Sequence, residues 1–183
     1  AEIASTTNEL LLLDYMLKNS KSEEETAYLL NYFVNQFKST VFRQTMFAEF
    51  EHKVNKLVEV GEPIPAERLH GIYKELNEDL FGEDIEVDEF ISAEWARIPH
   101  FYMFYYVFQY AKGFMSAVAL SQKILHGTDE DRAAYLNYLK AGESEYPLEV
   151  LKKAGVDMTG KDAMQKAMDV ARDALKDLRE AIL

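Results

Sequence analysis

Apolar residues recur every three to four positions along most of the chain, which is the period of an α-helix. Only 8 glycines and 4 prolines interrupt this pattern, and they fall mostly where periodic stretches end. Periodicity and breaks together predict helices over residues 2–19, 22–60, 65–81, 99–125, 128–140 and 147–155, with a last helix after Gly160. Residues 83–93 are acidic and mixed, and we expect a loop with a short strand or turn there. The chain is therefore predicted to be an all-α, multi-helix bundle-like single domain over residues 1–183.

Two helix starts carry a recognisable capping signal. Ser22-Glu23-Glu24-Glu25 puts a serine at the N-cap and a glutamate three residues later, which predicts a capping box. Thr128-Asp129-Glu130-Asp131 is a second N-terminal signal of this kind. Gly61 and Gly82 stand where the helices before them should end.

Charge and composition exclude several classes of protein. The chain has 20 Lys+Arg against 32 Asp+Glu, so its formal charge is −12. Binders of nucleic acid or anionic lipid need clustered positive charge, so neither partner is expected. The absence of cysteine excludes disulfides, cysteine-ligated zinc and cysteine nucleophiles. No uncharged apolar run approaches 18 residues, so no membrane-spanning helix is expected.

Two Glu-x-x-His pairs, Glu49/His52 and Glu67/His70, have the spacing found in di-iron four-helix bundles. A helical wheel separates all four residues from the apolar arc of their own helix. We therefore interpret both pairs as ordinary charged surface, and elemental iron analysis would test the di-iron alternative.

The first predicted helix carries a polar stripe on an otherwise apolar cylinder. Glu2, Ser5, Thr6 and Glu9 follow the i, i+3, i+4, i+7 spacing of one helix face. The pattern allows two orientations. The stripe could face solvent, or it could face inward, where its carboxylates would need a partner, a proton or a metal.

The predicted helix after Pro99 is unusually aromatic. On a helical wheel Tyr102, Tyr106 and Tyr110 fall within about 80° of each other, and His100 lies in the first turn. Such a face usually packs in a core with its phenols at the rim, and it could also line a peptide-binding groove. Arg43, among apolar neighbours on the long helix, could pair with Glu9, contact a substrate carboxylate or extend along the surface.

Several segments carry a resemblance to a known family. They are Ala1-Glu2-Ile3-Ala4-Ser5-Thr6-Thr7-Asn8-Glu9, Thr40-Val41-Phe42-Arg43-Gln44-Thr45-Met46-Phe47-Ala48-Glu49-Phe50-Glu51, Ile98-Pro99-His100-Phe101-Tyr102 with Tyr106-Val107-Phe108-Gln109-Tyr110-Ala111, and residues 146–158. In this order they resemble the M3-type zinc metallopeptidases, and within them the oligoendopeptidase F branch. The resemblance extends over essentially the whole chain.

The resemblance implies a zincin-type helical peptidase that cleaves short peptides in the cytoplasm. It implies that Glu2 is the third zinc ligand and that Glu9 orients a ligand by hydrogen bond. His100 with one or two of Tyr102, Tyr105, Tyr106 and Tyr110 would stabilise the transition state. The working assignment takes His100, Tyr106 and Tyr110 as catalytic, and Tyr102 and Arg43 as substrate-binding.

One family motif is missing. None of the four histidines, His52, His70, His100 and His126, begins a His-Glu-x-x-His sequence, so two zinc imidazoles and the general base are absent. The chain also opens without methionine or a helix cap. We therefore expect a C-terminal fragment that needs the N-terminal part of the same enzyme and is inactive alone. The alternative is a non-enzymatic helical module that binds a peptide or a partner helix in an aromatic groove.

Overall fold

The fold was analysed in a computed structural model that describes residues 2–83 and 85–182. All regular structure in these residues is helical, which confirms the all-α prediction. The helices are α1 (Glu2–Lys18), α2 (Glu23–Phe37), α3 (Arg43–Glu59), α4 (Ala66–Phe81), α5 (Glu89–Ser92), α6 (Phe108–His126), α7 (Asp129–Ala141), α8 (Pro147–Lys153) and α9 (Asp162–Ile182). Among the described helices, none is both long enough and apolar enough to cross a bilayer.

The described residues gather into two compact units. One unit combines residues 2–38 with residues 112–182, and the other is the continuous stretch 39–111. The single domain over 1–183 stays a prediction.

The discontinuous unit is built on packing between α2 and α9. Phe37 and Phe114 meet edge to face, with ring centroids 5.8 Å apart, and Phe33 lies 6.5 Å from Phe114. A second buried cluster unites α6, α7, α8 and the turn after α8: Ala119, Leu120, Tyr135, Leu151, Ala154, Val156 and Met158. Burial of these apolar side chains is the main force that holds the unit together.

The continuous unit packs α3 against α4. Its buried core consists of Met46, Phe47, Phe50, Leu69, Tyr73, Leu76, Ile98 and Val107. Tyr73 and Val107 are completely buried, and the ring of Phe50 meets that of Tyr73 at 90° with centroids 5.2 Å apart. Ile98 and Val107 belong to this core, so the irregular segment between them is attached to it at both ends.

Both predicted helix starts are capped, but only the second is a complete capping box, because Glu25 at the first accepts the N–H of Lys21. The Ser22 hydroxyl accepts the N–H of Glu25 at 3.1 Å, and the Glu25 carboxylate accepts the N–H of Lys21 at 2.8 Å. Thr128 and Asp131 form a complete capping box at the start of α7. Gly82 ends α4 with a φ of 71°, a conformation that favours glycine.

Three predicted segments differ from the structure. The long helix 22–60 contains a π-helical turn at Lys38–Phe42 between α2 and α3. The loop 83–93 includes the short helix α5, whose N-cap Asp88 accepts the N–H of Ile91 at 2.7 Å. The continuous aromatic helix from Pro99 is wrong, because 3-10 turns at Glu94–Arg97 and Pro99–Tyr102 precede α6, which starts only at Phe108.

The break in the aromatic segment lies at Tyr105 and involves a contact from a distant part of the chain. Tyr105 has a φ of 54°, in the left-handed region that costs a non-glycine residue roughly 1–2 kcal/mol. Its N–H donates to the buried Glu51 carboxylate on α3 at 2.5 Å, so this donor does not take part in a helix. The predicted stripe of Tyr102, Tyr106 and Tyr110 on one helix therefore does not exist.

Candidate active site

His100, Tyr106 and Tyr110 form one cluster even though they do not share a helix. His100 Nε2 and the Tyr110 hydroxyl lie 3.0 Å apart, within hydrogen-bond distance. The Tyr106 ring stacks on the His100 ring at an interplanar angle of 14°, and Tyr110 meets both rings edge to face. The three residues assigned as catalytic from the sequence are thus brought together.

Three different local structures position these side chains. Pro99 starts the 3-10 turn that presents His100, since its ring fixes the φ angle of the first residue. Tyr106 follows the left-handed Tyr105 and directly precedes the completely buried Val107. Tyr110 lies in the first turn of α6. A proline, a buried valine and a helix thus position the three side chains.

Two neighbouring residues of α3 hold Tyr105. Glu51 accepts its backbone N–H, and His52 Nδ1 lies 3.1 Å from its hydroxyl. The second oxygen of the Glu51 carboxylate is buried and has no hydrogen-bond partner among the described residues. These contacts hold Tyr105, which directly precedes Tyr106 in the sequence.

A second polar cluster surrounds the buried carboxylate of Glu94. Its Oε1 accepts hydrogen bonds from both Arg43 and Arg97, and its Oε2 accepts the Tyr73 hydroxyl at 2.7 Å. Burial and the hydrogen bond to Glu94 raise the pKa of Tyr73, so this phenol stays protonated. The sequence suggested Glu9 as a partner for Arg43, and the structure corrects that partner to Glu94.

A pocket of about 360 Å³ lies between these two clusters, within the continuous unit. Its polar lining comprises Thr40, Arg43, Gln44, Arg97, His100 and Tyr110. Phe47, Ile98 and Pro99 supply the apolar part of its wall. The Arg43 guanidinium lies over the ring of Phe47, 5.3 Å from its centroid. The pocket thus joins the His100–Tyr110 pair to two guanidinium groups.

The polar stripe of α1 faces solvent in this chain. Glu2, Ser5 and Glu9 are exposed, while Thr7, beside the stripe, is completely buried and donates its hydroxyl to the Ile3 carbonyl. The roles that the resemblance implies for Glu2 and Glu9 stay predictions. Ala1, which opens the matching segment, lies outside the described residues.

Metal chemistry would need more donors than the described residues bring together. Glu2 is a carboxylate of the type that zinc accepts, but a zinc site takes three or four protein ligands. Residues 2–83 and 85–182 contain no group of three or more His, Asp or Glu side chains arranged to hold an ion. Among the described residues, Glu2 therefore fits a zinc site only as one contributor.

The remaining sequence candidates lie apart from the cluster. Tyr102 is 89 % exposed at the end of its 3-10 turn. Glu49, His52 and Glu67 are exposed, and Glu49 pairs with Lys53 at 3.3 Å, which agrees with their assignment to charged surface. His70 is half-buried, with its ring 5.7 Å from that of Trp95.

Glu51, Glu94 and Arg97 were not predicted from the sequence. Glu51 lies about 140° from Met46 on the wheel of α3, at the edge of the apolar arc, and that position is a signal for an inward carboxylate. Glu94 and Arg97 have the i, i+3 spacing of an ion pair, but nothing in the local sequence indicates that Arg43, 51 positions earlier, joins them.

The chain is similar to known peptidases over its whole length. Residues 1–170 match the profile of peptidase family M3. The chain is 50% identical over 182 residues to the group B oligopeptidase PepB of Streptococcus agalactiae, covering 100% of this chain and 30% of that protein. It is 46% identical over 183 residues to the oligopeptidase PepF of Bacillus subtilis, covering 100% of this chain and 27% of the relative.

The fold is also similar to that of a peptidase of known structure. The crystal structure of oligoendopeptidase-F from Enterococcus faecium superimposes with a TM-score of 0.94 at 49% identity, covering 100% of this chain and 35% of that chain. The chain thus spans only about 30% of the length of the curated relatives above. Fold, sequence profile and relatives agree, and the chain belongs to peptidase family M3.

Proposed function

We propose that this chain is the C-terminal part of a cytoplasmic, zinc-dependent oligopeptidase that hydrolyses internal bonds of short peptides. Its membership of family M3 and the names of its relatives, which are oligopeptidases and oligoendopeptidases, support this function. The observation that carries the proposal is the His100–Tyr110 pair with Tyr106 stacked beside it.

The cluster suits a reaction that develops negative charge on a carbonyl oxygen. A phenol O–H and an imidazole N–H are both donors for the oxyanion of a tetrahedral intermediate. The hydrogen bond between Tyr110 and His100 holds the two groups side by side but uses one of these donors, so the oxyanion would replace that contact when both groups donate to it. Tyr106 fixes the plane of the His100 ring by stacking.

Zinc would act through a site completed by residues outside this chain. When bound, it lowers the pKa of a water molecule to about 7 and polarises the scissile carbonyl. Glu2 would contribute one carboxylate ligand, and Glu9, seven residues later on the same helix face, would orient a ligand by hydrogen bond. Tyr102 and Arg43 would contact the substrate.

The test uses the whole peptidase that contains this chain and a quenched fluorescent peptide. We expect a chelator to abolish turnover and added zinc to restore it. Tyr110→Phe and His100→Ala should each lower kcat by about 10²–10³, the usual cost of one oxyanion donor. Tyr28→Phe, at an exposed tyrosine of α2, is the matched control and should leave kcat unchanged. Full activity after chelation, or in Tyr110→Phe, would contradict the proposal.

By itself, the chain should show no turnover, because one carboxylate does not hold zinc in a productive geometry. The same peptide is incubated with the isolated chain and added zinc. Turnover that disappears in Glu2→Gln would show that the chain is a peptidase by itself, and the fragment interpretation would be wrong.

A non-enzymatic peptide-binding role is the second candidate, and the exposed aromatic segment favours it. Tyr102, Met103 and Phe104 present large apolar surfaces to solvent. This role predicts that a labelled peptide binds the isolated chain without zinc and equally well after Glu2→Gln. Fluorescence anisotropy with and without a chelator distinguishes it from the peptidase.

A further inference from the structure

We propose that the pocket beside His100 is a carboxylate-binding subsite, in which Arg43 and Arg97 select peptides that carry a carboxylate near the scissile bond. The proposal rests on the peptidase function above and names a substrate class for it. Three observations carry it: the local charge balance, the open guanidinium donors, and the position of the pocket.

The charge balance around Glu94 leaves one positive charge uncompensated. Two guanidinium groups, both permanently charged, share a single carboxylate oxygen. The other oxygen accepts a hydroxyl hydrogen from Tyr73, which stays neutral. Two positive charges therefore oppose one negative charge at the pocket, in a chain whose overall formal charge is −12.

Both arginines keep donors for a further ligand. A guanidinium has five N–H donors, and each of these two reaches Glu94 through one nitrogen, Nη2. The Arg97 side chain is 71% exposed, and the Arg43 side chain is 34% exposed and held over the ring of Phe47. A carboxylate is the group that matches the planar fork of such donors.

The composition of the wall favours an anion from the substrate itself. Six polar residues line the pocket, and among the described residues of that lining there is no carboxylate to repel one. Gln44 and Thr40 add neutral hydrogen-bonding groups. Because His100 and Tyr110 line the same pocket, its occupant would lie next to the reacting carbonyl. In peptides, the anionic group at such a place is an Asp or Glu side chain or the C-terminal carboxylate.

The experiment compares matched peptides on the whole peptidase. One series exchanges Glu for Gln at each position that flanks the cleaved bond, and a second exchanges a C-terminal carboxylate for the amide. We expect one series to show a preference of about tenfold in kcat/KM for the carboxylate, which is the size of one charge-assisted hydrogen bond. The series that responds identifies which carboxylate occupies the subsite.

Substitution at Arg97 tests the residues directly. Arg97→Gln should bring the acid-to-neutral ratio close to one, and Arg97→Glu should reverse it in favour of a lysine peptide. Arg172→Gln is the matched control, because Arg172 is also an exposed arginine paired with an acid three residues earlier, Asp169. The control should keep the tenfold preference, and thermal unfolding checks that each variant folds.

Peptide binding is measured by anisotropy alongside turnover, so the two proposals fail separately. Absence of zinc-dependent turnover would overturn the peptidase function, while the ratio of Kd values for acid and neutral peptides would still decide the subsite. Equal turnover and equal Kd for both peptides, or a preference that persists in Arg97→Gln, would overturn the subsite.

Discussion

At the scale of single residues, the continuous unit depends on two buried carboxylates. Glu94 joins residues from three separate parts of the chain, through Arg43, Tyr73 and Arg97. Glu51 accepts the N–H of the left-handed Tyr105. A buried charge needs partners, and both oxygens of Glu94 have them, whereas one oxygen of Glu51 has none among the described residues.

Glu94→Gln should destabilise the chain, because it leaves two guanidinium groups beside a neutral amide. These groups are 34% and 71% exposed and stay partly solvated, so we expect a loss of about 1–3 kcal/mol, the size of a lost charge-assisted hydrogen bond. Urea unfolding followed by circular dichroism measures the change. Glu78→Gln, which removes an exposed i, i+4 pair with Lys74, is the control and should have no measurable effect. Equal stability of the two variants would show that the Glu94 cluster contributes little.

Glu51 variants should separate hydrogen bonding from burial. Glu51→Gln keeps an oxygen that can accept the Tyr105 N–H, whereas Glu51→Leu removes the acceptor and should cost about 1–3 kcal/mol. Amide hydrogen exchange at Tyr105 is the direct measurement. We expect protection to survive in Glu51→Gln and to be lost in Glu51→Leu. Loss of protection in neither variant would mean that another group holds this segment.

At the scale of helices, ends are set by residues within one turn, whereas interruptions inside a helix are set from elsewhere. The Ser22, Thr128 and Gly82 signals act on neighbouring N–H and carbonyl groups, so these boundaries follow from the sequence. Tyr105 has no glycine or proline beside it to predict its left-handed φ. Its conformation depends on Glu51, 54 positions earlier.

The candidate site, like the helices, could be predicted from the sequence only in part. His100, Tyr106 and Tyr110 were identified through the resemblance and do lie together, but the single helix proposed to align them does not exist. Helical periodicity cannot distinguish a continuous aromatic helix from a broken one, since both contain aromatics at similar spacing. The contact between Arg43 and Glu94 was not predicted, because two residues 51 positions apart leave no local signal in the sequence.

Ser22→Ala should lower the stability of the chain by about 1 kcal/mol, because the N–H of Glu25 loses its side-chain acceptor. The free energy of unfolding in urea gives the value. Ser5→Ala is the control, since the Ser5 hydroxyl donates to the Glu2 carbonyl inside α1 and supplies no cap. A loss in Ser5→Ala as large as in Ser22→Ala would argue against a capping effect.

At the scale of the whole molecule, the acidic balance makes stability sensitive to low pH. The hydroxyl and N–H of Thr159, both donating to the Asp157 carboxylate, lower its pKa to about 2. A hydrogen bond from Lys123 lowers the pKa of Asp131 as well. Groups with a depressed pKa bind protons more readily in the unfolded chain, so stability rises with pH through their titration range.

The Asp157 contribution should be fully present above about pH 4 and disappear as the pH falls to about 2. Urea midpoints measured between pH 2 and pH 5 should therefore fall less steeply in Asp157→Asn than in the unaltered chain. Asp79→Asn, at an exposed aspartate on α4, serves as the comparison, and its urea midpoint should fall as steeply with pH as that of the unaltered chain. An equal fall of the urea midpoint at low pH in Asp157→Asn and in the unaltered chain would contradict the prediction.

The division of the chain into units has a consequence for its synthesis. Residues 39–111 are continuous in sequence, so the whole of this unit leaves the ribosome without waiting for a later part of the chain. By contrast, α2 packs against α9, and more than 120 residues must be translated before the two can meet. The apolar face of α2 therefore stays without α9 until translation reaches the end of this chain, a period in which chaperones can protect it.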